Sequence, residues 1–596
     1  MAKPSSSSSS SSNAPTWTAD ASAAATHKQA EKQQQQQGSE VPSEHFKPQE
    51  LANLAWALAA MQQQCMLSSA PPLRHSCTRV DAAWKQQLCM AAAAQLSEFN
   101  AADLSMVMWA LAVLGGGEVL LMQQQQTWLD GQLERAAELA PTMQGRHIAM
   151  LLWSVSQLQR QQQHMQQQQA QRLLSRNPGG SIPTSSSSSS GSSSHALQAF
   201  AATCFPRLQQ LLPSERQQLR LCCVVLLAAG HLQLQPPAAL MRKLQHVARQ
   251  QLQQQTAISW SCLGQWLNSQ QQPLVRLHDV AMLMYALAKL QYRPSRQFLT
   301  AANHAAATAC WQLLLRNKQR KQQQQQQHQG QFFLQYDAPS APSAAGAAAQ
   351  SRPPSHVRVQ DISLLLWAMG KLHHKPPHTL LRLLYKAAVV RLHAANASDV
   401  GLMLWGLARV RARPRHEWLQ QVLSHFLARL DDSVAAAPAV CNVVYALPHL
   451  PGGDNLNQML VAKLAEGQQP QQLAGAARVR FGECGVCELV ALLQGFAGLG
   501  FSPGAGWLAE HQQRCEQLGR EGFTEREQQL MAQARAVLVQ LQQQQQQVAG
   551  TEAQRMLRQQ QQQLTRMHGR PRLASAVKEG CRPEQPLRAA VLATLV

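Results

Sequence analysis

A unit of about 40 residues recurs along this chain, and no other feature of the sequence restricts its fold as tightly. The unit is clearest from Asp279 to Pro294 (DVAMLMYALAKLQYRP), from Asp361 to Pro376 (DISLLLWAMGKLHHKP) and from Asp399 to Pro414 (DVGLMLWGLARVRARP). An acid opens each one. Counting it as position zero, an aromatic stands at six (Tyr285, Trp367, Trp405), Leu or Met at eight, Leu or Val at eleven and Pro at fifteen. The same register starts at Glu50, Asp103, His147, Leu221, Ala439 and Glu488, which makes nine units in all. Trp56, Trp109, Trp153 and Tyr445 fill further aromatic positions, and Pro236 and Pro503 further proline positions.

Each unit reads as two helices. The first runs from the acid for about 12 residues, with the acid in the first turn, where it complements the helix dipole. The proline interrupts the chain and starts a second helix. In the unit at 399 that helix carries Trp418, Leu419, Val422, Leu423, Phe426, Leu427 and Leu430 at spacings of three and four. No stretch alternates with period two, so no sheet is expected. The fold class predicted is all-α: an α-solenoid of about nine helical-hairpin repeats interrupted by low-complexity Gln and Ser inserts. The units are 38 residues apart from Asp361 to Asp399 and 40 from Asp399 to Ala439, and the longer gaps hold the inserts. This divides the chain into a leader at 1–44, repeats at 45–160, a Gln/Ser linker at 161–195, and repeats at 196–318. A Gln/Ala/Ser/Pro linker at 319–356, repeats at 357–523 and a Gln-rich helical or disordered tail at 524–596 complete it.

Charge bears on partners. The net charge is +21, and from Arg352 to Leu430 there are 12 Lys/Arg against 3 Asp/Glu, nearly all inside repeats rather than in a basic tail. Polyanions are the natural partners. The 13 cysteines are scattered, which fits a reducing compartment better than a secreted disulfide framework. No apolar run approaches the roughly 20 residues of a membrane span. The Ser- and Ala-rich leader has no acid before Asp20 and no Arg; it resembles an organelle transit peptide and equally a low-complexity leader. Phosphate-loop, zinc and nucleophile patterns are missing: Gly115–Gly117 has no following Lys, and Cys484 and Cys487 have no second ligand pair. No cofactor, metal or catalytic residue is therefore expected.

On a helical wheel the apolar stripe of the first helix faces its hairpin partner, and small residues at positions two, seven and nine occupy the flanks where neighbouring repeats would meet. The remaining sector holds positions three, six and ten. Position ten reads His231, Lys289, Lys371, Arg409 and His449 in five successive units. It lies four residues after the aromatic, so Tyr285, Trp367 and Trp405 each sit beside a cation. If this sector lines the concave face, it offers stacking rings and phosphate-pairing charges in one row, the combination single-stranded nucleic acid requires. The same spacing also fits rings packed between helices, and cations favoured at a helix C-terminus. Position three, with Asn53 and Asn442 among mostly apolar residues, is a candidate for selectivity.

The stretch from Phe46 (FKPQELANLAWALAAM) resembles the repeat signature of the octotricopeptide-repeat (OPR) proteins, and Pro414, Glu417 and Trp418 match the family's proline and Glu-Trp junction. Arg415 and His416 depart from it. The resemblance covers about 45–160, 196–318 and 357–523. It implies a green-algal organellar factor, chloroplast or alternatively mitochondrial, that binds single-stranded RNA in RNA stability, processing, splicing or translation, with other proteins of an organellar ribonucleoprotein as possible partners. Relatives of the RAP-domain and FAST-kinase type often carry a C-terminal RAP domain, which this sequence does not show. The chain is not expected to be an enzyme. The alternative expectation is an α-solenoid scaffold for protein interaction.

Overall fold

The computed structural model describes residues 46–67, 80–116, 123–176, 191–212, 218–261, 276–334, 357–430, 437–450, 469–519 and 522–568. The leader at 1–44 lies outside these, as do 177–190 of the first linker and 335–356 of the second. The described residues form nineteen α-helices and no strand.

Eighteen of the helices pair into nine hairpins, each an A helix followed by a B helix. The A helices are α1 (Pro48–Leu67), α3 (Ala101–Leu114), α5 (Gly145–Arg176), α7 (Gln218–His231), α9 (Leu277–Lys289), α11 (Val359–Lys371), α13 (Ala397–Arg409), α15 (Ala437–His449) and α17 (Val486–Gly498). The B helices are α2 (Ala82–Ala94), α4 (Gln123–Leu139), α6 (Gly191–Leu211), α8 (Ala238–Ser261), α10 (Arg296–Leu334), α12 (His378–Arg391), α14 (His416–Leu427), α16 (Gln469–Val479) and α18 (Ala505–Leu518). Each A helix packs on the next A helix and each B helix on the next B helix, giving two layers in sequence order. This is the all-α solenoid that the repeat predicts.

The acid at position zero does more than complement a dipole. Asp399 accepts from the Asn396 N–H (3.2 Å) while the Asn396 side chain accepts from the Asp399 N–H (2.7 Å), a reciprocal capping box. Asp361 accepts likewise from the Arg358 N–H, and Glu50 from the Lys47 N–H. The other end of the A helix is equally regular. The N–H groups of Gln291 and Tyr292 donate to the carbonyls of Ala288 and Leu287, a Schellman closure. His373 and His374, Arg411 and Ala412, and Gly500 and Phe501 repeat it. The proline follows in the extended connection, two residues ahead of the B helix rather than at its first position, since α8, α10, α12, α14 and α18 begin at Ala238, Arg296, His378, His416 and Ala505.

Small residues set the approach of the A helices. A Cβ on Gly406 (position seven) would stand 2.5 Å from the Leu366 carbonyl of the preceding A helix, and one on Gly495 would stand 2.5 Å from the Val444 carbonyl. At position two, a Cβ on Gly401 would lie 2.8 Å from the Ala439 carbonyl of the next. Backbone meets backbone at these points. In the B layer, the Trp418 indole N–H donates to the Tyr385 carbonyl (3.1 Å), and Trp507 does the same to Ala474 one hairpin back (3.1 Å).

The starts of both linkers fall inside helices, and the tail is helical where it is described. The first linker at 161–195 begins inside a helix, because α5 runs to Arg176, and α10 likewise continues to Leu334 into the second. Gln is a good helix former, and no proline or left-handed residue falls within either helix to end it earlier. The tail at 524–596 opens as α19 (Glu525–His568), which packs against α17 in the A layer through the buried Ala534 and Leu538. Residues 569–596 lie outside the described set.

The close approach has a direct test. Gly406→Ala forces a Cβ into rigid backbone and is expected to destabilise by about 3 kcal/mol in urea denaturation. Gly475→Ala, in a helix with nothing within 4 Å of the added methyl, is expected to stabilise by up to about 1 kcal/mol. A Gly406→Ala protein as stable as the parent would remove backbone contact as the reason for small residues at position seven.

Candidate functional site

With positions two, seven and nine taken by inter-repeat packing, positions six and ten of successive A helices are left on one face. The aromatics are half-buried and touch in sequence: Trp56 and Trp109 at 6.4 Å between centroids, Tyr285 and Trp367 at 5.0 Å, Trp367 and Trp405 at 6.1 Å. The cations lie over these rings. Lys289 Nζ is 5.8 Å from the Tyr285 centroid and 5.9 Å from that of Trp367. Lys371 sits in the same way over Trp367 (5.9 Å) and Trp405 (5.7 Å), and Arg409 over Trp405 (5.6 Å). Each lysine therefore bridges two repeats, at about 0.5–1 kcal/mol per exposed cation–π contact.

This face encloses a groove of about 1140 Å³. His231, Tyr285, Lys289, Trp367, Lys371 and Arg409 line it, as do Arg160 and Gln163 from α5 and Arg293, Gln233, Gln235, Gln291 and His373 from the connections. Among the described residues no carboxylate is in its lining. The lack of counter-charge is felt within the site: burial, Lys371 and Arg160 together hold Lys289 below the ordinary lysine range.

Other charges have partners within the fold. The buried Asp361 carboxylate lies 2.9 Å from His278 Nδ1 and 3.5 Å from Arg358 Nη2. Burial raises Asp279 and Asp399 above the usual carboxylate range. Arginines in or just after the B helices donate to carbonyls at the turn from the preceding hairpin: Arg135 to Ser97 (2.8 Å), Arg207 to Met143 (3.3 Å), Arg429 to His393 (3.1 Å) and Arg514 to Gly482 (2.9 Å). These hold repeats together.

The position-ten row divides in three. Lys289, Lys371 and Arg409 are exposed and line the groove. His231 lines it too, but not as a cation: burial, Arg160 and Lys289 push it down to about 4, so at neutral pH it is an uncharged ring edge-on to Tyr285 at 6.4 Å. His449 is exposed but outside the groove, stacked on Tyr445 at 4.3 Å, with Nδ1 donating to the Tyr445 carbonyl. Trp405 supports two cations without lining the groove, and Asn53 and Asn442 lie outside it. The remaining position-three residues, Met106, Met150, Met282, Leu364 and Leu402, are half-buried apolar side chains. Arg160 and the position-twelve residues Gln233, Gln291 and His373 are groove residues that the repeat pattern did not single out. The signal available was Gly115 and Gly500, glycines at position twelve of two other units.

A second groove, of about 1220 Å³, lies against the B layer. Leu381, Tyr385, Val389 and Trp418 form its apolar part, and Lys375, Arg382, Lys386, Arg411, Arg413 and Arg415 its basic part. Among the described residues no group of three or more His, Cys, Asp or Glu could hold a metal, and no helix is long and apolar enough to cross a membrane. Cys484 is buried and donates to the Arg480 carbonyl, while Cys487 is exposed. No protein-family model matches the chain, and no curated protein matches it.

Histidines give the fold a pH dependence. His511 is fully buried, stacks on Trp507, and donates from Nε2 to the Leu489 carbonyl (3.1 Å). Burial pushes it, like His231, down to about 4. The unfolded chain protonates these rings near 6.5. Unfolding therefore takes up protons between those values, and the stability present above about 6.5 is lost as pH falls toward 4, on the order of 3 kcal/mol for His511. Urea midpoints measured from pH 7.5 to 4.5 should fall, and His511→Asn should flatten the fall. Identical pH slopes for parent and variant would exclude His511 as the group responsible.

Proposed function

We propose that this solenoid binds single-stranded RNA along the A-helix groove and acts in post-transcriptional gene expression of an organelle. The observation that carries the reading is the row Lys289, Lys371 and Arg409, seated on Tyr285, Trp367 and Trp405 in a groove with no carboxylate among its described lining residues. Like charges held side by side without a counter-ion disfavour one another, and a polyanion relieves that. One cation per repeat suits a ligand with one charge per repeating unit, and the exposed ring edges offer apolar surface for bases. The organelle, chloroplast before mitochondrion, and membership of the OPR family rest on the sequence resemblance alone. No residue constellation for catalysis accompanies the groove, so the role proposed is binding.

Salt tests this reading. Affinity of the full chain for a pool of single-stranded RNAs should fall with salt at a log–log slope near −0.7 per phosphate contact. Lys371→Ala/Arg409→Ala should retain its helix content, weaken binding about tenfold or more, and lower the slope by one to two contacts. Salt-insensitive binding, or binding unaltered in the double variant, would refute it. His231→Gln should leave the slope unchanged, because His231 is already neutral.

The B-layer groove favours a second reading, that of a protein-interaction scaffold. Its apolar part between rows of cations suits an acidic amphipathic segment of a partner. Arg382→Ala/Lys386→Ala/Arg413→Ala should then leave RNA affinity within about twofold of the parent; a loss as large as that of the A-face variant would make this groove part of the RNA path instead.

A further inference from the structure

Position twelve is where each A helix gives way to its connection, and its backbone is left-handed in six units. Glycine fills it at Gly115 (φ 78°) and Gly500 (φ 64°). In the units at 221, 279, 361 and 399 the residue is instead Gln233 (φ 55°), Gln291 (φ 52°), His373 (φ 51°) or Arg411 (φ 51°). These are the only non-glycine residues with positive φ among the described residues. An L-residue with a long side chain is disfavoured there, and glycine is the usual occupant of this closure. The backbone bonds are the same with either kind of residue, as Arg411 and Gly500 show. All four side chains are exposed, so no packing explains their retention. Side chains kept against a local backbone preference cluster where they are used.

Their location indicates the use. Gln233, Gln291 and His373 line the A-face groove beside Lys289 and Lys371, and His373 Nε2 lies 3.4 Å from Arg409 Nη2, so the two rows interleave from one repeat to the next. Arg411 lines the other groove. A glutamine carboxamide offers two donors and an acceptor, and a neutral imidazole one of each. These groups complement base edges, whereas the flexible cations beside them complement phosphates. We propose that Gln233, Gln291 and His373 form a base-reading row, each hydrogen-bonding the edge of one base in a single-stranded RNA whose phosphates face Lys289, Lys371 and Arg409. The proposal rests on the RNA-binding reading above and adds the residues that select sequence.

The test is selection of bound sequences from a randomised single-stranded RNA pool by the full-length protein, for the parent and for Gln291→Gly, His373→Gly, Gln291→Arg and Arg411→Gly. Glycine relieves the backbone, so the three glycine variants should melt at or above the parent temperature. The parent should enrich a motif. Gln291→Gly and His373→Gly should each lose roughly tenfold or more of the discrimination at one motif position, with the salt slope unchanged. Gln291→Arg should move the preference at its position toward guanine, the base that a guanidinium pairs with in bidentate fashion. Arg411→Gly should leave the motif intact. Gln291→Gly and His373→Gly proteins that keep the parent motif at parent affinity overturn the base-reading row. Salt-sensitive binding by the parent with no motif enriched overturns it as well, while leaving RNA binding in place. A folded parent that binds no RNA overturns the RNA-binding reading itself, and the row with it.

Discussion

The contact on which the rest depends is backbone against backbone between successive A helices. Side chains normally keep packed helices about 8–10 Å apart. Here Gly401, Gly406 and Gly495 leave no room even for a methyl group between a helix and its neighbour's carbonyls. That approach fixes both the spacing and the rotation of each A helix. Once positions two, seven and nine are committed, position six has to turn its ring onto the ring of the next repeat, and position ten has to project from the same face. A lysine can then span two rings, as Lys289 and Lys371 do. The row of cations is thus a consequence of small residues elsewhere on the helix, and a groove with one charge per repeat follows from geometry set in the core.

A net charge of +21 overstates how much positive surface is free to meet a partner. Arg135, Arg207, Arg429 and Arg514 satisfy carbonyls at the turns of neighbouring hairpins, where the 3-10 turn leaves acceptors pointing outward. Arg358 and His278 surround the buried Asp361. Removing a partner of Asp361 would leave a buried carboxylate less well matched, which costs stability whatever the protein binds. Among the described residues, Lys289, Lys371 and Arg409 instead lie over ring faces, with no carbonyl or carboxylate to satisfy. Distinguishing the two populations requires the structure, because an arginine in a B helix and an arginine in a groove look alike in composition.

The repeat, its helical hairpins, the small-residue flanks and the cation row were all legible in the sequence, because each depends on spacing within one helix. What depended on three-dimensional neighbours was not. His231 occupies the same register position as Lys289, yet the arrival of Arg160 from an adjacent helix and its own burial keep it neutral. Trp405 has the spacing of Trp367 but lies outside the groove lining. Asn53 and Asn442 were singled out for polarity in an otherwise apolar series, and that series proves to be half-buried packing. Position twelve was not legible as a row because Gln, His and Arg share no side-chain class; what they share is a backbone angle, visible in sequence only through the glycines of two other units.

The Gln-rich inserts also look different once the layers are known. The unit at 147 has neither the left-handed residue nor the proline that ends other A helices, so α5 runs on into its glutamines. Two turns of that extension are enough to carry Arg160 and Gln163 into the groove formed by the following repeats. There Arg160 acts on His231 and Lys289 alike, disfavouring a proton on each. The helix that carries a low-complexity run thereby raises the positive potential at one end of the groove through Arg160, just ahead of its glutamines. A solenoid tolerates such inserts because they leave at helix ends without disturbing the stacked layers. The same tolerance lets an insert become part of the site, when the helix that carries it fails to stop.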